Sequence, residues 1–529
     1  MMNSIQVLDC TLRDGGYCNE WKFGKKGTSK IIEGLTNSGI DIIECGFITN
    51  RVDNDPDVTK FRTLDAISPI VPSNRRSCIY VGMINYGEYD PKELPLCNES
   101  PIDGLRIAFH KKDLKSALEM CRQVKDKGYK VFVQAMVSMA YTDLEFISMI
   151  DMINDIEPYA FYIVDSFGMM KRKDMVRFFS LVEHNLKDTI CIGFHSHNNM
   201  QLAYSNAQTL VEMQSDRNLI IDSSIYGMGR GAGNLNTELF IEYLNDNYNS
   251  NYLIKPILEV MDEVINDFYR KRPWGYSLPN YLSAKHNTHP NYAGYLSEKN
   301  TLTAGGMNEI FEMMDEDKKV EFSKEYAESM YIWYMERGKS NETHLAEFAN
   351  SIKGKEVLLI GPAKSSEIHR DKIMNYVENN DVVTISVNFS YPYVKMDYLF
   401  ISNMRRYNEV GKRDLDRCVV TSNVPADGVF LKVKYQDLLN EKEVVRDNAG
   451  LMAVNLMIKM GAKRLIMAGF DGYSYDSSEN FAEAQMVVFE EKAKLDAINH
   501  GMGTVLSEYS NLIEIVFLTE HPYYNLISH

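Results

Sequence analysis

Ile190-Cys191-Ile192-Gly193-Phe194-His195-Ser196-His197-Asn198-Asn199-Met200 is the stretch on which the fold turns. The apolar run Ile190–Phe194 predicts a short buried strand that breaks into polar residues at its C-terminal end. Side chains two apart on a strand share a face, so His195 and His197 project together while Ser196 points away. Two imidazoles so placed can fill two positions on a divalent metal, with oxygens supplied by the rest of the chain. They can equally well hydrogen-bond locally, and the neighbouring segments have to decide.

Working outward, apolar runs at Ile5–Leu12, Ile40–Phe47, Cys78–Ile84, Leu105–Phe109, Val131–Val137, Phe161–Val164 and Leu219–Ile225 bring the strand count to eight. Most are separated by segments of helical period. Asp113–Lys127 places Leu114, Ala117, Leu118, Cys121 and Val124 on one face and stops at Gly128; Thr142–Ile156 and Lys171–Leu186 read similarly. The third connection, with Pro91, Pro95 and Pro101, reads as loop. Eight strand-then-helix units predict a (β/α)8 TIM barrel over residues 1–250, in preference to an open doubly wound sheet.

The polar residues gather at one end of these strands. Arg13 and Asp14 follow strand one, Glu44 ends strand two, and His110 ends strand four. Gln134 lies on strand five, Asp165 and Ser166 follow strand six, and the loop Gly227–Asn236 follows strand eight. Barrel active sites lie at that end. The clustering favours the metal reading of His195 and His197 and makes Gln134, Asp165 and Ser166 candidate substrate contacts.

Residues 251–352 change to long helical patterns, at Leu253–Tyr269, Met307–Asp315 and Lys319–Tyr334, around an aromatic middle with Trp274, Tyr276, Tyr281 and Tyr292. The stretch His286-Asn287-Thr288-His289-Pro290-Asn291-Tyr292 reads as a lid carrying His289 and Tyr292 over the barrel mouth, or as an ordinary surface loop. From 353 to 529 a second α/β unit follows. Its strands are predicted at Glu356–Ile360, Val382–Phe389, Tyr398–Ile401, Cys418–Thr421, Val429–Val433, Arg464–Ala468 and Ile513–Leu518, with helices at Gly450–Met460 and Phe481–His500. An open, Rossmann-like parallel sheet with its own core is expected. Its first turn is not GxGxxG, which gives no indication of a nicotinamide or flavin cofactor. Gly361 to Ser365 could still meet a nucleotide or phosphorylated sugar through backbone N–H groups. A purely structural or dimerising role is the other reading, and a homodimer is left open.

Composition narrows the function classes. The 529 residues are 45% hydrophobic and 25% charged, an ordinary globular balance. A net charge of −16 without a basic run argues against a nucleic-acid or anionic-membrane surface. Met1–Gln6 does not read as a signal peptide, and no apolar stretch approaches a membrane span. The eight cysteines (10, 18, 45, 78, 97, 121, 191 and 418) contain no CxxC pair and read as reduced thiols, so a cytoplasmic location is expected.

Leu8-Asp9-Cys10-Thr11-Leu12-Arg13-Asp14-Gly15-Gly16 resembles the DxTLRDG signature of the DRE-TIM metallolyase barrels, which include 4-hydroxy-2-oxovalerate aldolase and hydroxymethylglutaryl-CoA lyase. His195-Ser196-His197-Asn198 resembles that family's HxHN, and Gly227-Met228-Gly229-Arg230-Gly231-Ala232-Gly233-Asn234 its glycine-rich loop. Arg106-Ile107-Ala108-Phe109-His110 is similar to the fourth strand of the pyruvate aldolases.

The resemblance implies that Asp14, His195 and His197 bind a divalent metal (Mg²⁺ or Mn²⁺, with Zn²⁺, Co²⁺ or Fe²⁺ as alternatives) and that Asn234 belongs to the metal's surroundings. It further implies that Arg13 faces the enolate oxygen of a 2-oxo acid and that Glu44 orients Arg13. The chain departs from the family at Tyr17, where those aldolases carry a catalytic histidine. Tyr17, His110, His289 or a water at the metal could then move the proton. Short motifs around Leu359–Pro362 and Ala468–Gly472 resemble sialyltransferase-like Rossmann domains of surface-polysaccharide proteins. They suggest a sugar nucleotide at the C-terminal domain and a carbohydrate-derived aldehyde, as in carbohydrate biosynthesis. An aldolase acting on pyruvate through an enolate is therefore expected. An acyl-CoA-dependent Claisen enzyme, or a nucleotide- or glycan-binding protein on a non-catalytic barrel, are the alternatives.

Overall fold

The computed structural model describes residues 4–213, 215–299, 301–341, 343–409, 415–476, 479–481 and 492–523. Eight parallel strands close a barrel: β1 (Ile5–Asp9), β2 (Ile42–Ile48), β3 (Ile79–Asn85), β4 (Gly104–Phe109), β5 (Lys130–Ala135), β6 (Ala160–Asp165), β7 (Cys191–Ser196) and β8 (Leu219–Ser223). Closure is made by β1 pairing with β8 on one side and with β2 on the other, in the register Leu8 to Ile42 and Asp9 to Ile43. A two-residue strand, Lys60–Phe61, adds to the outer part of β2.

The strands read as unbroken apolar runs because both faces are covered. Leu8, Ile42, Val81, Phe132, Tyr162 and Ile220 fill the barrel interior. The residues next to them in sequence, such as Val7, Ile43, Val133, Ile163 and Ile221, point outward under the helices. Each such fully buried side chain stabilises the fold by about 1.5–3 kcal/mol.

Helices form at Leu114–Asp126, Asp143–Ile156 and Arg172–Asn185, where the period predicts them, whereas the pattern at Lys319–Tyr334 becomes a helix only over Lys324–Glu336. Asp143–Ile156 begins in a capping box between Thr142 and Glu145, which satisfies two orphan N–H groups at once. The first strand is shorter than the apolar run Ile5–Leu12. Asp9 ends it by accepting from the N–H of Thr11 (2.9 Å) and the hydroxyl of Thr237 (2.7 Å). The chain then closes into one helical turn, Thr11–Asp14. The helical pattern expected at Leu253–Tyr269 is Ile254–Val260, a π-helical turn Met261–Ile265 and Asn266–Lys271.

Residues 251–352 do not stand as a separate lid or linker. Those up to Gly294, with Phe311–Phe322, belong to the barrel unit, while Tyr295–Ile310 and the residues from Ser323 onward make a second compact unit. The second core therefore begins before residue 353. Helix Leu345–Ile352 buries Phe348 against Tyr398, their ring centroids 4.9 Å apart.

The second unit is an open, all-parallel sheet of seven strands: β9 (Glu356–Ile360), β10 (Val382–Val387), β11 (Tyr398–Ile401), β12 (Cys418–Thr421), β13 (Leu431–Val433), β14 (Arg464–Ala468) and β15 (Glu514–Phe517). Their spatial order is β13-β12-β11-β10-β9-β14-β15. Helix Ala449–Lys459 is capped by Asn448, and the last helix is Lys492–Ser510, with residues 482–491 of the expected Phe481–His500 helix outside the described residues. All eight cysteines are unpaired thiols, and no described helix is long and apolar enough to cross a membrane.

Candidate functional site

The helical turn after β1 carries Arg13 and Asp14 to the C-terminal mouth of the barrel. Both are buried, at 5% and 1% exposure, and Asp14 meets His195 and His197 from the end of β7. One ligand atom from each of the three lies within 4.8 Å of the others. Burial alone would raise the Asp14 carboxyl. Arg13 and the two histidines outweigh it and hold Asp14 well below the usual carboxylate range. Burial, opposed by Asp14, lowers His197 to about 4. An ionised carboxylate beside a neutral imidazole is the protonation state in which both can bind a metal.

Residue by residue, this triad fits a divalent cation. His195 Nδ1 pairs with Asp222 at 2.9 Å, which fixes the ring and leaves Nε2 toward the mouth, an arrangement typical of metal-ligating histidines. Asn234 donates to Asp14 Oδ2 at 2.7 Å. His197 Nδ1 and Asn234 Oδ1 are buried without a hydrogen-bond partner among the described residues. Buried orphan atoms are costly, and here they adjoin an ionised carboxylate.

Behind the triad runs a buried charge network. Arg13 Nε donates to Glu44 Oε2 (2.8 Å) and Nη1 to Asp14 Oδ1 (2.5 Å), while Nη2 has no partner among the described residues. Arg106, with no exposure at all, lies between Glu44 (2.9 Å) and Asp222. With its amide oxygen turned toward Arg106, Gln134 accepts from Nη2 at 2.8 Å. Arg106 and Asp222 thereby connect the His195 ring to Arg13. Sequence reasoning noticed Arg106 only within a motif and missed Asp222. The signal that could have found Asp222 is an acid near the end of an otherwise apolar strand, Leu219-Ile220-Ile221-Asp222.

The loops after β7 and β8 lock together. Asn198 N–H donates to Gly233 O (2.8 Å), Asn199 Oδ1 accepts from Ala232 N–H (2.8 Å), and His197 and Asn234 form an isolated bridge. Glycine is required where this loop passes the site. A Cβ on Gly229 would stand 2.3 Å from Asn234 Nδ2 and 2.6 Å from Asp14 Oδ2. Gly229→Ala is therefore expected to keep the fold but weaken metal binding by roughly 10–100-fold, as when a residue that supports a metal-binding side chain is displaced. Titration of the variant with Mn²⁺ checks this.

Above the triad opens a cavity of 280 Å³. Arg13, Asp14, Tyr17, His110, Gln134, Ser166, His195, His197 and His289 all line it, so most sequence candidates come together. Glu44 and Asn234 stand behind Arg13 and Asp14. Two candidates are spent elsewhere. Asp165 turns its carboxylate to the N–H groups of Met169 and Met170, both at 3.0 Å, and holds the loop after β6. Tyr292 is buried, with its hydroxyl 3.0 Å from the carbonyls of Lys318 and Glu321. Neither residue lines the cavity. Ser166 faces the cavity but accepts from Val137 N–H at 2.9 Å.

The groups suited to proton transfer sit at the rim. Burial lowers His110, with Glu321 opposing. Burial, Arg230 and His110 together lower His289 much further, and Arg230 Nη2 lies 3.2 Å from His289 Nδ1. Tyr17 keeps a 38% exposed ring, but desolvation of its phenol raises its pKa above the ordinary value.

Residues 108–264 match the family model described as HMGL-like. The 4-hydroxy-2-oxovalerate aldolase of Geobacillus genomosp. 3 is 25% identical over 244 residues, covering 46% of this chain and 71% of the relative. That of Roseiflexus castenholzii is 27% identical over 249 residues, with the same two coverages. A solved N-terminal domain from Bacteroides vulgatus, assigned as an aldolase, is 27% identical, with a TM-score of 0.48, covering 55% of this chain and 96% of that one.

Proposed function

We propose, from a barrel that belongs to the HMGL-like (DRE-TIM) superfamily of carbon–carbon lyases, that this chain is a divalent-metal-dependent aldolase. It makes or cleaves the bond between pyruvate, or a similar 2-oxo acid, and an aldehyde. One observation carries the reading: the buried Asp14, His195 and His197 adjoin the unspent Nη2 of Arg13 in one small cavity. A divalent cation on these mixed oxygen and nitrogen donors, Mg²⁺ or Mn²⁺ in the first place, would supply a Lewis acid for the keto oxygen.

The chain's own groups supply the rest. Arg13 is held by Glu44 through Nε and by Asp14 through Nη1, so its fork is pre-oriented and Nη2 is free to donate to the oxygen that gains charge. Arginine does this without titrating. The floor of the network sets two guanidinium groups, Arg13 and Arg106, against three carboxylates, Asp14, Glu44 and Asp222. That surplus of negative charge suits a cation and disfavours a bare anionic acid. At the rim, Asn85, Glu88 and Arg230 offer polar contacts to a hydroxylated, carbohydrate-derived aldehyde.

His110 is the group assigned to take the methyl proton of pyruvate. It faces the cavity, and its lowered pKa keeps it neutral and able to accept at pH 7. His289 is too strongly depressed, by burial first and then by Arg230, to be an effective base, and Tyr17, raised above its ordinary value, donates a hydrogen bond instead. Exchange of pyruvate methyl protons in heavy water, followed with and without a chelator, tests the whole reading. Exchange should require the metal, survive in Tyr17→Phe, and fall most in His110→Ala. Its acid limb should lie below the ordinary histidine value of about 6.5, since a base with a lowered pKa is lost only as pH falls through that lower value. Exchange abolished only in Tyr17→Phe would make Tyr17 the base. Absence of metal-dependent exchange in the wild-type chain would remove the aldolase reading.

A further inference from the structure

The second unit carries a cleft of 710 Å³ that the barrel's chemistry does not use. Its place follows from topology. From β9 the chain builds outward through β10 to β13, then returns to lay β14 on the other side of β9. In open parallel sheets ligands bind beyond the carboxyl ends of the strands, where the strand order reverses. The loops after β9 and β14 meet there so closely that a Cβ on Gly361 would stand 2.3 Å from Gly469 O, and one on Gly469 2.3 Å from Gly361 O. Pro362, Ala363, Gly469 and Phe470 line the cleft just beyond this contact.

The first turn itself is already filled. Ser365 N–H donates to Asp471 Oδ2 at 2.8 Å, its hydroxyl is paired with the same carboxylate, and the helix that follows is only four residues long. A phosphate at Gly361 to Ser365 would meet the Asp471 carboxylate. That corrects the sequence expectation for this turn and moves any anionic group to the other side of the cleft.

That side is equipped to receive one. Ser402, after β11, is 1% exposed and lines the cleft, yet its hydroxyl has no partner among the described residues. Asn388, after β10, is held at φ 61 and accepts from Ser402 N–H at 3.1 Å, a strained backbone kept at a lining position. Arg405 lines the same side, exposed and in no ion pair among the described residues. Across from them, Phe470 and Tyr473 give the cleft an aromatic wall. An aromatic wall, a buried hydroxyl and amide pair, and a cation at the rim match the three parts of a nucleotide. The volume falls in the range of small-molecule sites, roughly 300–1,000 Å³.

We propose that this cleft binds a nucleoside phosphate, with its base against Phe470 and Tyr473, its polar groups toward Asn388 and Ser402, and its phosphate at Arg405. This site is independent of the reaction assigned to the barrel.

Calorimetric titration of the full-length chain with the nucleoside mono- and diphosphates of the common bases tests it, beside inorganic pyrophosphate and the bare nucleosides as probes of each half. At least one nucleoside phosphate should bind, and more tightly than pyrophosphate or its own nucleoside. Arg405→Ala is at an exposed position and should fold normally. It should weaken that binding by roughly 10–100-fold, the loss expected for a hydrogen bond to a charged group, and leave the bare nucleoside unaffected. Ser402→Ala should weaken nucleotide and nucleoside alike. The proposal is overturned if no nucleoside phosphate binds with a Kd below about 1 mM, if pyrophosphate binds as well as any nucleotide, or if Arg405→Ala binds unchanged.

Discussion

His195→Ala is expected to lose the divalent metal while keeping the barrel. The side chain is one of three groups placed to hold the metal, and its ring is fixed by Asp222, so its removal would delete a donor rather than loosen one. Affinity should fall by more than the roughly 10–100-fold typical of disturbing an outer contact. Asp222→Asn supplies that comparison, since His195 remains but its orienting charge is gone. This second change carries a stability cost the first does not. Arg106 is fully buried between Glu44 and Asp222, and breaking a buried pair by removing one partner costs about 3–5 kcal/mol. Metal content after dialysis, measured beside thermal unfolding, separates the two: His195→Ala low in metal with near-normal unfolding, Asp222→Asn lowered in both. Full metal content in His195→Ala would remove the assignment of the triad.

Arg13→Lys should retain metal and lose turnover. The guanidinium makes two contacts that position it, to Glu44 and Asp14, and keeps a third nitrogen without a partner among the described residues. A lysine ammonium is a point charge on a flexible stem and cannot satisfy Glu44 and Asp14 while also reaching substrate. Losing one preorganised donor to a developing oxyanion costs on the order of 10²–10³-fold in kcat. The fall should therefore appear in kcat rather than in KM alone, because the contact strengthens as charge develops. Near-normal kcat would place Arg13 in a purely structural network with Glu44.

Both expectations rest on residues that were legible in the sequence for a simple reason. A parallel barrel strand is buried on both faces, so a polar residue at its C-terminal end interrupts an otherwise apolar run and stands out. Arg13, Asp14, Glu44, His110, His195 and His197 were visible in that way, and the eightfold recurrence of strand and helix gave the barrel. The seven strands of the second sheet were readable on the same grounds.

The tertiary structure alone decided the rest, because it depends on what lies across the barrel or the sheet. Asp222 looks like a strand-end acid until its register beside β7 sets it against His195 and Arg106. Asp165 and Tyr292 have the chemistry of substrate contacts, but local N–H groups and carbonyls claim them first. The division of residues 251–352 between two cores cannot be read from helical period, which shows that a face is buried but not against which partner. Likewise, Gly361 to Ser365 has the sequence of an open phosphate turn. Only the return of β14 beside β9, more than 100 residues later, brings Asp471 to fill it.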